Sequence, residues 1–274
     1  MKLLLTGLPG TGKTTILQSV IDEVDCDWVI SEEMRDSHKD RTGFKAKNSL
    51  GCNITFAHKT DIISDLRTGN YAVDVNAINA IFTKGIYDAL GNTSSLLIFD
   101  EIGRMQMLSA EFQIAIEKLF TSDKTFLATI RYGDEWTDAF IQSDGTLLFV
   151  LTTENRQRIH KCLISTLAAS SIFTRLTIPQ QTKALVLAKK YLKREQYTQY
   201  GKLFDHAVRY VANNKINRKA NTEFIVVGDH SDHHVTYSNA KKDCDCDLFK
   251  GRNTYADNQG ECSHLQAVKL LLAH

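Results

Sequence analysis

The sequence predicts an α/β fold, a mostly parallel sheet flanked by helices, with a small C-terminal α+β domain after it. Three observations carry this. Short apolar runs alternate with helical periodicity over the first part of the chain. A glycine-rich loop joins the first apolar run to the first helical pattern. Far downstream, clustered cysteines and a histidine lie between two short β patterns and a last helical one.

The strand patterns are Lys2–Thr6, Trp28–Ser31, Asn53–His58, Leu96–Asp100, Thr125–Ile130 and Leu147–Leu151. Helical spacing covers Lys13–Val24, Asn76–Leu90, Glu111–Phe120 and Asn155–Ala169. Such alternation places helices on both faces of a parallel sheet, whose ligands bind at the carboxyl ends of its strands. No internal repeat or low-complexity tract interrupts the pattern.

At 274 residues, with 43% hydrophobic and 24% charged side chains, the composition is that of an ordinary globular protein with room for two domains. No run reaches membrane-span length, and the N-terminal apolar run is too short for a signal peptide. The expectation is a soluble cytoplasmic protein with no membrane contact. Cys26, Cys52 and Cys162 are isolated and expected to be buried thiols; in a reducing compartment the clustered cysteines point to metal before disulfide.

The net charge of +1 hides an asymmetry. Residues 1–182 hold 18 basic against 22 acidic side chains, residues 183–219 hold 10 against 2, and residues 220–274 hold 5 against 8. The basic stretch carries Lys189, Lys190, Lys193, Arg194, Arg209, Arg218 and Lys219 on a helical pattern, and composition changes near Ile178-Pro179. The expected organisation is a first domain over 1–176, a basic helical connector over 177–219 and a small domain over 220–274.

The loop after Lys2–Thr6 runs Gly7-Leu8-Pro9-Gly10-Thr11-Gly12-Lys13-Thr14-Thr15, a G-x-x-x-x-G-K-[ST] motif between strand and helix. Its glycines let backbone N–H groups converge on a phosphate, and the helix starting near Lys13 turns its positive end toward the same place. Lys13 supplies a point charge for the β- and γ-phosphates and Thr14 a hydroxyl for Mg²⁺. The expected ligand is a nucleoside triphosphate. Leu96–Phe99 then leads into Asp100-Glu101, where Asp100 suits a hold on Mg²⁺ and Glu101 a base that positions the attacking water.

With LLLTGLPGTGKTT, SEEMR and RTGFK (residues 31–45), YAVDV (71–75), LLIFDEIGRMQMLSAEF (96–112), FLATIR (126–131) and LTTENRQRI (151–159) in this order, the chain resembles the cancer-related nucleoside-triphosphatases, a family of P-loop NTPases. The resemblance covers roughly residues 1–165 and implies Mg²⁺-dependent hydrolysis of ATP, GTP and other nucleoside triphosphates to diphosphate and phosphate. Leu8 departs from a usual second proline, and Arg131 stands where histidine is often found. Phosphoryl transfer also calls for a cation on the γ-phosphate. Arg35 and Arg41, in family-matching positions, are the expected candidates; Arg131 and Arg156 follow later motifs.

Cys244-Asp-Cys246 and, fifteen residues on, Cys262-Ser-His264 offer three thiolates and an imidazole, enough to close a tetrahedral structural Zn²⁺ shell. The order of strands Phe224–Val227 and Val235–Tyr237, C-x-C, C-x-H and a helix is similar to the SWIM zinc fingers, which implies a nucleic-acid (DNA) or protein partner through residues 183–274. His230, His233 and His234 are expected to be solvated loop residues. Two other readings stand beside hydrolysis: a P-loop nucleotide or polynucleotide kinase, and a nucleic-acid-binding switch governed by nucleotide.

Overall fold

The structure, a computed structural model, describes residues 1–92, 96–131, 133–247 and 262–273. The chain forms two compact units, Met1–Arg156 and Gln157–His274. No helix among the described residues is long and apolar enough to cross a membrane.

The first unit is built on a nine-stranded sheet. In chain order its elements are β1 (Lys2–Thr6), α1 (Lys13–Ile21), β2 (Cys26–Arg35), β3 (Arg41–Asn48), β4 (Asn53–His58), β5 (Arg67–Thr68), β6 (Tyr71–Val73) and α2 (Val75–Ile78). A π-helical turn, Asn79–Thr83, runs on into α3 (Lys84–Gly91). Then come β7 (Leu96–Ile102), α4 (Ala110–Thr121), β8 (Phe126–Ile130), α5 (Glu135–Gln142) and β9 (Thr146–Val150). The strand order is β5-β6-β4-β3-β2-β7-β8-β1-β9.

The five strands from β2 to β9 in that order are parallel, as the alternation of strand and helix predicts. β1 lies between β8 and β9 with Leu3, Leu4 and Leu5 wholly buried, so its apolar run is a two-faced core strand. Beyond β2 the sheet turns antiparallel through β3, β4, β6 and β5; of these the sequence pattern reveals β4, Asn53–His58, but not β3, β5 or β6. The reason is visible in β3. Its Lys45 and Lys47 are paired across the strand with Glu32, at 3.3 and 2.9 Å, so an ion-pair ladder stands where an apolar alternation would have signalled a strand. The same pairing extends β2 four residues past the expected Ser31. Cys52 is exposed rather than buried, because it follows the turn residues Leu50 and Gly51 between β3 and β4.

The core of this unit threads an aromatic line through Phe44, Phe56, Phe82 and Phe112, with the Phe56–Phe82 centroids 5.5 Å apart and the Phe82–Phe112 centroids 6.2 Å apart, both edge to face. Phe82 sits in the π-helical turn and is buried.

The second unit begins inside α6 (Arg156–Phe173), whose first residue still belongs to the first unit, and goes on with α7 (Ile178–Lys193) and α8 (Tyr197–Lys202), which continues through a π-helical turn, Leu203–Ala207, into α9 (Val208–Ala212). Thr177 and Gln180 close a capping box at the start of α7, with Pro179 in its first turn, which is why helix begins at the composition change. A four-stranded antiparallel sheet follows: β10 (Ile216–Arg218), β11 (Glu223–Val227), β12 (Asp232–Tyr237) and β13 (Lys242–Cys244). The last element is α10 (Ser263–Leu271).

Residues 177–219, expected as a connector, bury an apolar face made of Ala184, Leu187, Ala188, Leu192, Phe204 and Val208. Tyr191, Tyr197, Tyr200 and Tyr210 are buried as well; the Tyr200 hydroxyl meets Thr166 Oγ1 at 2.6 Å, and Gln266 of α10 donates to the Tyr191 hydroxyl at 3.3 Å. Lys189, Lys190, Lys193 and Arg194 stay on the exposed face.

Truncating Phe82 to alanine removes the central ring of the aromatic line and is expected to cost about 3–5 kcal/mol. Denaturant-dependent hydrogen exchange of the β7 amides reads this as a lower unfolding midpoint for the first unit.

Candidate active site

Strand β1 delivers the chain to the phosphate loop, and the loop is tight from its first residue. A Cβ on Gly7 would lie 2.5 Å from the Leu151 carbonyl oxygen and 2.9 Å from Thr11 Oγ1, so no side chain fits there. Gly10 and Gly12 have φ of +79° and +92°, left-handed conformations that glycine adopts without strain. Gly12 caps α1 with no side chain of its own, which leaves the first N–H groups of that helix facing the loop. Leu8, Pro9 and Gly10 form the exposed crest, while Thr11 is buried and donates to the Leu8 carbonyl at 2.8 Å. Thr15 is exposed on α1.

The Lys13 ammonium donates to the Gly7 and Leu8 carbonyls at 2.9 and 3.2 Å, folded across its own loop. Next to it, Thr14 Oγ1 donates to Asp100 Oδ2 at 2.6 Å. This bond joins the two sequence motifs directly, although they are 86 residues apart. The other Asp100 oxygen, Oδ1, accepts from Thr129 Oγ1, and the Asp100 carbonyl accepts from Ser31 Oγ at 2.6 Å. Burial pushes the Asp100 carboxyl above its ordinary value, while the Thr129 and Thr14 hydroxyls and the Lys13 charge pull it back toward ionisation. Thr129 and Ser31 lie within the FLATIR and SEEMR stretches, yet sequence reading gives neither hydroxyl a role, since nothing local ties it to Asp100. The sheet order explains Thr129: β8 lies between β7 and β1, so its carboxyl end fills the space between Asp100 and the loop.

Glu101 is half-buried, and burial raises its carboxyl to about 7, helped by the neighbouring Asp100 charge and opposed by Lys13 and Arg131. Gly103 makes room for it: a Cβ there would sit 2.4 Å from Glu101 Oε1. The pair of carboxylates is thus differentiated by surroundings, one fixed by hydroxyl donors and the other close to half-protonated near neutrality.

The arginines fall into three places. Arg35 and Arg41 both pair with Glu33 beside the β2–β3 turn, and Arg35 also donates to the Lys39 carbonyl at 2.8 Å. Both are well exposed, and these bonds bring them to each other rather than to Lys13, Thr14, Asp100 or Glu101. Arg131 shares Asp134 with Arg104, its Nε lying 3.0 Å from Asp134 Oδ2. Arg156 reaches the phosphate loop itself, where its Nε donates to the Thr11 carbonyl at 2.7 Å.

A second cluster lies in the other unit. Cys244, Cys246, Cys262 and His264 are all buried, with one donor atom from each within 4.8 Å of the others. β13 ends at Cys244, and Cys262 caps α10 so that His264 falls in its first turn. His264 Nδ1 is 3.6 Å from Cys244 Sγ. Hydrogen bonds with the Cys246 and Cys262 thiols, together with burial, hold the Cys244 thiol well above the usual thiol range. His233 is not the solvated loop residue expected. It lies on β12, half-buried, with its ring stacked on His264 at 4.0 Å and its Nδ1 3.3 Å from Asp245 Oδ1.

Comparison with known proteins bears on the first unit. A family profile described as NTPase matches residues 2–164. The nucleoside-triphosphatase THEP1 of Thermotoga petrophila is 35% identical over 163 residues, which is 59% of this chain and 89% of that protein. That of Methanocaldococcus jannaschii is 30% identical over 176 residues, 62% of this chain and 98% of its own. Among solved structures, THEP1 from the hyperthermophile Aquifex aeolicus superposes with a TM-score of 0.54 at 28% identity, covering 60% of this chain and 98% of that one. A human cancer-related nucleoside triphosphatase shares the fold, with a TM-score of 0.51 at 23% identity over 61% of this chain and 96% of its own. With more than half of its residues matched and these relatives covered almost end to end, the chain belongs to the NTPase family.

Proposed function

We propose that this protein hydrolyses nucleoside triphosphates to diphosphate and phosphate, using Mg²⁺, water and no other acceptor. The observation that carries the reading is the 2.6 Å bond between Thr14 Oγ1 and Asp100 Oδ2. It brings the loop hydroxyl and the strand-end carboxylate to one point, and this oxygen pair suits a hard divalent cation. Bound there with the nucleotide, Mg²⁺ would neutralise charge shared by the β- and γ-phosphate oxygens. The loop N–H groups and the start of α1 hold the phosphates, and Lys13 exchanges its carbonyl partners for their oxygens. Glu101 orients a water for in-line attack on the γ-phosphorus and takes its proton, which a carboxylate raised to about 7 does efficiently near neutral pH.

In the second unit we read Cys244, Cys246, Cys262 and His264 as a structural Zn²⁺ site. Three thiols and an imidazole within 4.8 Å of one another, all buried, match a closed tetrahedral donor set. Zinc there would keep the thiols ionised and tie β13 to α10. The open face of α7, with Lys189, Lys190, Lys193 and Arg194 exposed, fits a nucleic-acid backbone as its partner.

With Mg²⁺ and any common nucleoside triphosphate, phosphate is expected to appear without an added acceptor. Lys13→Ala and Glu101→Gln should each lower that rate by about 10²–10⁴, while only Lys13→Ala also weakens nucleotide binding. Dependence on a phosphoryl acceptor would replace hydrolysis with kinase chemistry.

The pH dependence has a definite sign. Glu101 works as a base only when ionised, so kcat/KM rises to a plateau above about pH 7, and the limb vanishes in Glu101→Gln. Stability moves oppositely. The folded value of about 7 exceeds the ordinary 4.5, so the contribution of Glu101 to stability is full below 4.5 and is lost as pH rises through 7.

For the zinc reading, metal analysis is expected to find one zinc per chain. Cys244→Ser should lower that content and open the second unit to proteolysis, while nucleotide affinity stays as in the wild type.

A further inference from the structure

We infer that Arg156 is a positioning residue of the phosphate loop, holding the carbonyls of Gly10 and Thr11 outward so that the loop is set for phosphate before nucleotide arrives. Three observations converge on it. Arg156 Nε donates to the Thr11 carbonyl at 2.7 Å. Its Nη2 lies 3.5 Å from the Gly10 carbonyl. A Cβ on Gly12 would be 3.3 Å from its Nε and 3.4 Å from its Cζ, so the guanidinium also lies against Gly12. One planar cation therefore backs three consecutive residues of the loop.

The segment that presents Arg156 is itself fixed. The Leu151 N–H donates to the Thr6 carbonyl at 2.7 Å, carrying the β1–β9 pairing one step past the strand ends. Asn155 is buried, accepts from the Thr152 N–H at 2.9 Å and donates to the Val150 carbonyl at 2.9 Å. These bonds close the turn after β9 so that Arg156, the next residue, emerges beside the loop.

The physical reason lies in the peptide unit. Each one carries an N–H and a carbonyl, and a phosphate site needs the first turned in and the second turned out. Gly10 and Gly12 are free to turn either way, and ordering them costs conformational entropy. A fork of charged donors outside the loop selects the required orientation in advance. Lysine, with a single ammonium, holds fewer carbonyls in fixed geometry than guanidinium. With Nε and Nη2 turned to these carbonyls, Arg156 acts through the loop rather than on the transferred phosphate.

The test uses the full chain with Arg156→Gln and Arg156→Lys. It measures ADP affinity by calorimetry, kcat and KM for ATP, and amide exchange over residues 7–13 without nucleotide. Arg156→Gln is expected to raise the ADP Kd and the ATP KM about tenfold or more. The kcat should stay within about threefold, with faster exchange in the loop and an unchanged melting temperature. Arg156→Lys should recover part of the loss. Unchanged affinity and exchange would overturn the inference and make Arg156 a surface side chain. A collapse of kcat at unchanged KM would overturn it in favour of direct action on the γ-phosphate. The affinity and exchange measurements do not depend on turnover, so they report on Arg156 even if hydrolysis itself fails.

Discussion

A buried carboxylate gripped from two sides organises the first unit. Asp100 lies at the end of β7, and its two oxygens accept from Thr14 on α1 and Thr129 on β8. A buried carboxylate without donors would cost several kcal/mol or take up a proton. The two hydroxyls and the Lys13 charge offset that cost, and in doing so they fix the start of α1 relative to the sheet. The loop before α1 then has its two ends set, one by β1 in the core and one by Asp100. What lies between is short, glycine-rich and free only in the orientation of its peptide units.

The same economy shapes the charges around it. Two carboxylates, Glu33 and Asp134, each hold a pair of arginines, Arg35 with Arg41 and Arg104 with Arg131. Exposed pairs of this kind contribute little stability, so their effect is on where the cations rest. Glu101 instead keeps an environment poor in donors, with Gly103 leaving it room. Burial raises both carboxyls, and the adjacent residues differ in their donors: Asp100 accepts from the Thr14 and Thr129 hydroxyls, and Glu101, raised to about 7, is poised between protonation states.

The second unit meets a different constraint. Four short antiparallel strands bury few side chains, chiefly Phe224, Val226 and Val235, which is little for an independent core. Two features make up for this. The helices between 177 and 212 add the apolar faces and four buried tyrosines. The cysteine–histidine cluster joins β13 to α10, and the His233, His264 and Tyr210 rings stack in succession behind it.

Much of the site was legible because its chemistry is local. Gly7 to Thr15 lie on consecutive residues, and Asp100-Glu101 follows an apolar run that reads as a core strand in any context. The parallel sheet was legible for the same reason, since strands buried on both faces show continuous apolar runs. The β3 extension was not, because the cross-strand partners Glu32, Lys45 and Lys47 look like surface charge in sequence. Nor were Thr129 and Ser31, whose value arises only when the strand order sets them beside Asp100. The sequence by itself determined the glycine-rich loop and the carboxylate pair that follows the core strand. Tertiary structure decided which hydroxyls grip Asp100, where each arginine rests and which one lies against the loop. Those are contacts across dozens of residues, and no local pattern encodes the register that creates them.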